Sequence, residues 1–135
     1  MLTGLQMKIL IVDDNFINRK ILLKFLEDKG EVDIAVNGLE AMEAIKLGHS
    51  EGAPYDLVLL DIMMPEMDGQ ETLQAIRAFE KEKKIYTSDG VKIIMVTALT
   101  DSKNIMQSFR MGCENYITKP VERDKLMKAI NNLGL

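Results

Sequence analysis

Five short apolar runs alternate with five segments of helical periodicity, and that alternation leaves few folds open. The runs are Lys8–Val12, Val32–Val36, Leu57–Leu60, Lys92–Val96 and Asn115–Thr118. Three are nearly continuous in Val, Ile, Leu and Met, the composition of a strand covered on both faces. Between the runs, apolar residues recur every three or four positions. Phe16–Lys29 carries Ile17, Ile21, Leu22, Phe25 and Leu26 on one face, and Leu39–Leu47 carries Met42 and Ile45. Gln70–Lys83 repeats Leu73, Ile76 and Phe79, and Asp101–Met111 repeats Ile105, Met106 and Phe109. Val121–Leu133 repeats Leu126, Ile130 and Leu133. Gly30, Gly48 and Gly112 stand where three of these helices should stop. Strand and helix in alternation predict an α/β fold, a doubly wound five-stranded parallel sheet with helices on both faces.

The chain has 135 residues and a net charge of −4, enough for one domain with an ordinary core. The acidic balance argues against a nucleic-acid partner, which needs clustered Lys and Arg. No apolar stretch approaches the roughly 18 residues of a membrane span, so no membrane partner is expected. Cys113 is the single cysteine and cannot close an intramolecular disulfide. Met1-Leu2-Thr3-Gly4-Leu5-Gln6 lacks the pattern of a signal peptide, and the expected location is the cytoplasm. Residues 1–6 read as an N-terminal tail and residues 7–135 as the folded domain.

The ends of the apolar runs carry the chemistry. Leu57-Val58-Leu59-Leu60 runs into Asp61, and Lys8–Val12 runs into Asp13-Asp14. In a parallel sheet the carboxyl ends of neighbouring strands share one edge, where ligands of open α/β folds bind. Three carboxylates in one crevice repel and raise one another's pKa unless a cation lies among them. Lys119, at the end of Asn115-Tyr116-Ile117-Thr118, is the single positive candidate nearby. Three acids against one ammonium leave a formal charge of −2, which suits a divalent cation. A metal-dependent acidic pocket is expected. Taken singly, each residue has a plainer use. Asp13 or Asp14 can cap the helix beginning near Phe16, Thr97 suits a strand, and Lys119-Pro120 can be a simple turn.

The joint pattern is more specific. Val12-Asp13-Asp14-Asn15, Leu59-Leu60-Asp61-Ile62-Met63-Met64-Pro65-Glu66-Met67-Asp68-Gly69, Val96-Thr97-Ala98 and Tyr116-Ile117-Thr118-Lys119-Pro120 follow in order, each at a predicted strand end. Together they resemble the receiver domain of two-component response regulators, of the chemotaxis-regulator-like kind, over essentially the whole chain from Met7 onward. The resemblance implies a flavodoxin-like receiver fold with strand order 2-1-3-4-5, working as a phosphorylation-activated signalling switch. Asp61 matches the phosphoacceptor, a carboxylate nucleophile that forms an acyl phosphate. Asp14 matches a direct Mg²⁺ ligand, with Asp61 also ligating, Asp13 assisting through water and Met63 lending its main-chain carbonyl. Such an oxygen set suits Mg²⁺, and Mn²⁺ is expected to substitute. Lys119 matches the lysine that pairs with a phosphoryl oxygen, while Thr97 offers its hydroxyl and Ala98 its main-chain N–H. The three equatorial oxygens of the transferring group thereby each gain a partner.

The same resemblance makes Thr97 and Tyr116 the switch pair: phosphorylation draws Thr97 inward and Tyr116 fills the vacated space. It also implies a cis peptide at Lys119-Pro120. The implied partners are a sensor histidine kinase or histidine phosphotransfer protein, and a downstream protein target met by the fourth helix, fifth strand and fifth helix. The implied state is a monomer or a weak phosphorylation-dependent dimer that catalyses only its own phosphorylation and dephosphorylation.

Two other classes share parts of this pattern. A phosphatase of the haloacid dehalogenase type also uses a strand-terminal Asp but needs a second acid two residues on, where this chain has Met63. A flavodoxin-like flavin carrier needs a Ser/Thr/Gly-rich phosphate loop after the first strand, where Asp13-Asp14-Asn15 repels phosphate. The receiver resemblance puts Met63 and Leu99, two residues beyond Asp61 and Thr97, beside the route of the hydrolytic water; neither is an acid or amide that could orient it, so slow self-dephosphorylation is expected. His49 reads as a surface-loop residue. The sequence runs to Leu135 after the last predicted helix, and no output domain is expected within it. Either it stands alone, as the helix end at Asn131–Leu135 mildly favours, or it is a receiver fragment of a hybrid histidine kinase or multidomain response regulator.

Overall fold

Alternation along each strand decides which face its side chains reach. The computed structural model describes residues 6–135, so the expected tail lies outside the described residues except for Gln6. In β1 (Met7–Val12), Leu10 and Val12 face one way, Ile9 and Ile11 the other. β3 (Leu57–Leu60) divides into Val58 with Leu60 and Leu57 with Leu59, and β4 (Lys92–Thr97) into Ile93 with Met95 and Ile94 with Val96. Over the first set lie α2 (Gly38–Ser50) and α3 (Gly69–Glu82), through Ala41, Ile45, Leu73 and Ile76. Over the second lie α1 (Phe16–Leu26) and α5 (Arg123–Asn132), through Leu22, Leu26, Leu126 and Ile130. With β2 (Gly30–Ala35) and β5 (Asn115–Thr118), five parallel strands run in the order β2-β1-β3-β4-β5. The fold is the doubly wound α/β sheet that the alternation predicts.

Several boundaries differ from the expectation. Gly30 does not cap α1; that helix ends at Leu26 with Glu27 as C-cap, and Gly30 opens β2 opposite Met7. A Cβ on Gly30 would lie 2.0 Å from the Met7 carbonyl oxygen, so glycine is needed for the approach of the two strands. Gly48 does not stop α2, which continues to Ser50 with Gly48 buried against the Ala53–Tyr55 segment. His49 therefore sits in the last helical turn, edge-on to Phe79 with ring centroids 5.5 Å apart, and not in a loop. Gly112 does cap α4 (Ser102–Met111), in the left-handed region at φ 111°.

Two helices expose apolar residues that their periodicity would bury. On α1, Ile17 and Ile21 are 61% and 42% exposed, leaving Leu22 and Leu26 as its buried anchors. On α4, Met106 is 60% exposed and Phe109 also faces outward, and the one buried residue is Ser108.

Candidate functional site

Register brings the acids together. Val12 lies opposite Leu60 in the β1–β3 pair, so Asp13 and Asp61 leave adjacent strands side by side. The ladders continue one residue further: the Asp13 N–H donates to the Ala35 carbonyl at 3.2 Å and the Asp61 N–H to the Val12 carbonyl at 3.0 Å. One carboxylate oxygen from each of Asp13, Asp14 and Asp61 lies within 4.8 Å of the others. Asp13 and Asp61 are buried at 1% and 6% exposure, whereas Asp14 is open to solvent.

Lys119 enters from the other side. Its N–H donates to the Thr97 carbonyl at 2.8 Å, extending the β4–β5 pair, and the Lys119–Pro120 peptide is cis. Its ammonium donates to Asp13 Oδ2 at 2.8 Å and to Asp61 Oδ2 at 2.9 Å. Burial works against that charge, but the hydrogen bonds and charges of Asp13 and Asp61 outweigh it and hold the Lys119 pKa above the ordinary lysine value.

The segment after Asp61 is folded back on it. Gly69 N–H donates to the Ile62 carbonyl at 2.8 Å, and a Cβ on Gly69 would lie 2.0 Å from the Asp61 carbonyl oxygen. Asp68 then caps α3 in a reciprocal arrangement with Glu71, each side chain accepting from the other's backbone N–H. Met63 N–H points at Asp61 Oδ1 at a long 3.3 Å, and the Met63 side chain is exposed. The cap of α1 is Asn15, whose side chain accepts from the Asn18 N–H at 2.9 Å. Neither Asp13 nor Asp14 is used as that cap, and both stay with the cluster.

Thr97 is buried, and its hydroxyl accepts a long 3.4 Å bond from the Leu99 N–H; Ala98 is exposed. The Tyr116 hydroxyl donates to the Leu99 carbonyl at 2.8 Å, with its ring packed against the core. Thr97 and Tyr116 thus hold the same loop residue from two sides. Two neighbours escaped the sequence reading. Arg19 Nη1 donates to the Asp13 carbonyl at 3.0 Å, and the Gln70 amide reaches from α3 to Asn104 and Ser108 on α4. Arg19 stands one helical turn beyond the Asn15 cap, a spacing that could have flagged it.

Every donor in the cluster is a hard oxygen, and two buried carboxylates share a single ammonium, so negative charge is left over. That set fits a small divalent cation such as Mg²⁺.

The sequence pattern of the response regulator receiver domain matches residues 9–131. The chain belongs to that family. As a receiver domain it is a phosphoaccepting signalling switch. It is 35% identical to the chemotaxis protein CheY of Halobacterium salinarum over 127 residues, covering 93% of this chain and 95% of that protein. It is also 39% identical to hybrid signal transduction histidine kinase B of Dictyostelium discoideum over 126 residues, 89% of this chain but 6% of that protein. The chain therefore spans only a small part of the hybrid kinases it matches. Among solved structures it resembles a CheX–CheY–BeF3–Mg²⁺ complex from Borrelia burgdorferi, with TM-score 0.84 and 30% identity over 98% of this chain and 92% of that one. The receiver domain of the Arabidopsis thaliana histidine kinase CKI1, complexed with Mg²⁺ and BeF3⁻, gives TM-score 0.81 and 28% identity over 97% and 92%.

Proposed function

We propose that Asp61 accepts a phosphoryl group from a phosphohistidine on a sensor histidine kinase or histidine phosphotransfer protein. One Asp61 carboxylate oxygen bonds to phosphorus, the P–N bond breaks, and the departing imidazole takes up a proton. The observation that carries this reading is the Lys119 ammonium bridging Asp13 and Asp61 at 2.8 and 2.9 Å inside a three-carboxylate cluster.

Asp14, Asp61 and the Met63 carbonyl, with Asp13 through water, would hold Mg²⁺ or Mn²⁺. When bound there, the cation supplies positive charge to the phosphoryl oxygens. Lys119 neutralises the resting Asp61 carboxylate and then passes to a phosphoryl oxygen, a short swing for an ammonium already 2.9 Å from Asp61 Oδ2. The Thr97 hydroxyl and the Ala98 N–H take a further oxygen. Turning Thr97 inward breaks its weak bond from the Leu99 N–H, and that loop is already tethered to Tyr116. The change is read on the α4–β5–α5 face, where Met106 and Phe109 expose apolar surface to a downstream protein. Exposed Met63, with no acid or amide, leaves hydrolytic water unoriented and the phosphoryl group long-lived.

In this reading the domain acts in the cytoplasm as a monomer or weak phosphorylation-dependent dimer, and catalyses only its own phosphorylation and dephosphorylation. Near-complete coverage of the Halobacterium CheY supports a free-standing switch. A receiver unit within a hybrid kinase is supported by the 39% identity to one part of the Dictyostelium protein. Incubation with Mg²⁺ and acetyl phosphate should add one phosphoryl mass, absent in EDTA and in Asp61→Asn. Equal addition to Asp61→Asn would exclude Asp61 as acceptor.

A further inference from the structure

We propose that Arg19 is a positioning residue for the cation site, clamping the peptide from which Asp14 projects and so setting Mg²⁺ affinity. This rests on the reading of the acid cluster given above. Asp13 has every polar atom engaged. Its N–H donates to Ala35, its Oδ1 accepts from the Asn15 N–H at 2.9 Å, and its Oδ2 accepts from Lys119. The remaining atom, its carbonyl oxygen, accepts from Arg19 Nη1 at 3.0 Å. That carbonyl belongs to the Asp13–Asp14 peptide, so the guanidinium fixes the plane on which Asp14 is mounted.

Asp14 itself makes no side-chain hydrogen bond or ion pair among the described residues, and its carboxylate is placed by backbone alone. Arg19 is placed well to do this. It lies in α1, with its N–H donating to the Asn15 carbonyl at 3.0 Å and its guanidinium carbon 5.7 Å from the Phe16 ring centroid. It forms no ion pair with any carboxylate of the described residues, although it touches the backbone of Asp13. Its hydrogen bond to the loop goes to a carbonyl.

Two effects of Arg19 on a bound dication have opposite sign. Its positive charge repels the ion, but that charge is delocalised, partly exposed and screened by solvent and salt. Its hydrogen bond holds the peptide in the arrangement that presents Asp14. Ordering one residue's backbone is equivalent to roughly five- to thirtyfold in an equilibrium constant. Positioning therefore outweighs repulsion, and loss of Arg19 weakens binding.

Isothermal titration of the full chain with Mg²⁺ tests this, using Arg19→Met, which keeps an unbranched side chain without donor or charge, and Arg19→Lys, which keeps a donor and the charge. Arg19→Met should bind Mg²⁺ about five- to tenfold more weakly than wild type. Arg19→Lys should recover part of that loss, and Arg19→Met, which leaves the Asp13 carbonyl unpaired, should melt roughly 4 °C lower in EDTA. If Arg19→Met binds Mg²⁺ as tightly as wild type or more tightly, repulsion dominates and the positioning role is wrong. Should Arg19→Met fail to fold, Arg19→Gln, which drops the charge and is too short to reach the Asp13 carbonyl, decides: affinity equal to or tighter than wild type would overturn the proposal. If wild type binds no Mg²⁺, the reading of the acid cluster fails first and this proposal falls with it.

Discussion

Replacing Lys119 by methionine keeps the bulk of the side chain and deletes the one ammonium that Asp13 and Asp61 share. In the native fold that ammonium lies 2.8 Å from one carboxylate and 2.9 Å from the other, on a side chain only 15% exposed. Removing one partner of a buried ion pair costs about 3–5 kcal/mol, because the surviving charges stay desolvated and unopposed. Solvent reaches this cluster through the exposed Asp14, which puts the expected loss near the lower end, about 3 kcal/mol. Against a total stability of about 5–15 kcal/mol that is a large share. It corresponds to a drop in melting temperature of roughly 10 °C.

Urea unfolding of wild type and Lys119→Met in EDTA at neutral pH measures the loss directly, and pH gives it a signature. The Lys119 pKa is raised in the fold, its burial outweighed by Asp13 and Asp61, above an ordinary value of 10.5. A raised pKa means the stabilisation is complete below that ordinary value and is lost as pH climbs through the folded one. The gap between the two proteins should hold through neutral pH and close only in strong alkali. Mg²⁺ should narrow it as well, because the dication binds the more negative cluster of the variant more tightly. Coincident urea midpoints in EDTA at neutral pH would refute the reasoning.

Asp14→Asn should leave stability in EDTA within about 0.5 kcal/mol of wild type, since Asp14 is exposed and its carboxylate makes no hydrogen bond or ion pair among the described residues. Calorimetric titration should show its Mg²⁺ binding weakened by at least the roughly tenfold that outer-shell changes produce. Gln70→Ala removes the amide that meets the Asn104 carbonyl, Asn104 Oδ1 and Ser108 Oγ at 3.4, 3.1 and 3.3 Å. Because Ser108 is the one buried residue of α4, exchange of the α4 amides should speed up about tenfold while β1 and β3 stay protected, as read by hydrogen-exchange mass spectrometry. Burial, then the charge of Glu114, pushes the Cys113 thiol up to about 12, so alkylation near pH 8 should run about a thousandfold slower than for a free thiol. Alkylation at the free-thiol rate would show that the α4–β5 connection opens readily.

What the sequence disclosed depended on how local the cause was. Leu57–Leu60 could be read as a buried strand because its four apolar residues are needed on two covered faces, and Asp61 stood out as the charge that ends it. The bounds of β2 were less legible. Gly30-Glu31-Val32-Asp33-Ile34-Ala35 is an edge strand of mixed polarity, and only its ladder with Met7–Val12 makes Gly30 a strand residue. Gly48 carries a stop signal that packing overrides, because the following segment passes close over it.

The periodicity of α4 marked a helix correctly but not the direction of its apolar face, since Met106 and Phe109 turn away from the sheet. Around the acid cluster, the residues at strand ends could be found one by one. The contacts that hold them could not. The approach of Gly69 to the Asp61 carbonyl is fixed by tertiary packing and leaves no periodic trace in the chain, and the place of Arg19 one turn beyond the Asn15 cap does not disclose the Asp13 carbonyl that it meets.

The central claim is an acyl phosphate on one named side chain. Borohydride reduces such a mixed anhydride to an alcohol, turning the modified aspartate into homoserine and leaving free carboxylates untouched. After treatment with Mg²⁺ and acetyl phosphate, then borohydride, peptide mapping should find homoserine at position 61 and at no other acid, and none when Mg²⁺ is withheld. Homoserine at position 13 or 14, or at position 61 regardless of Mg²⁺, would contradict the account.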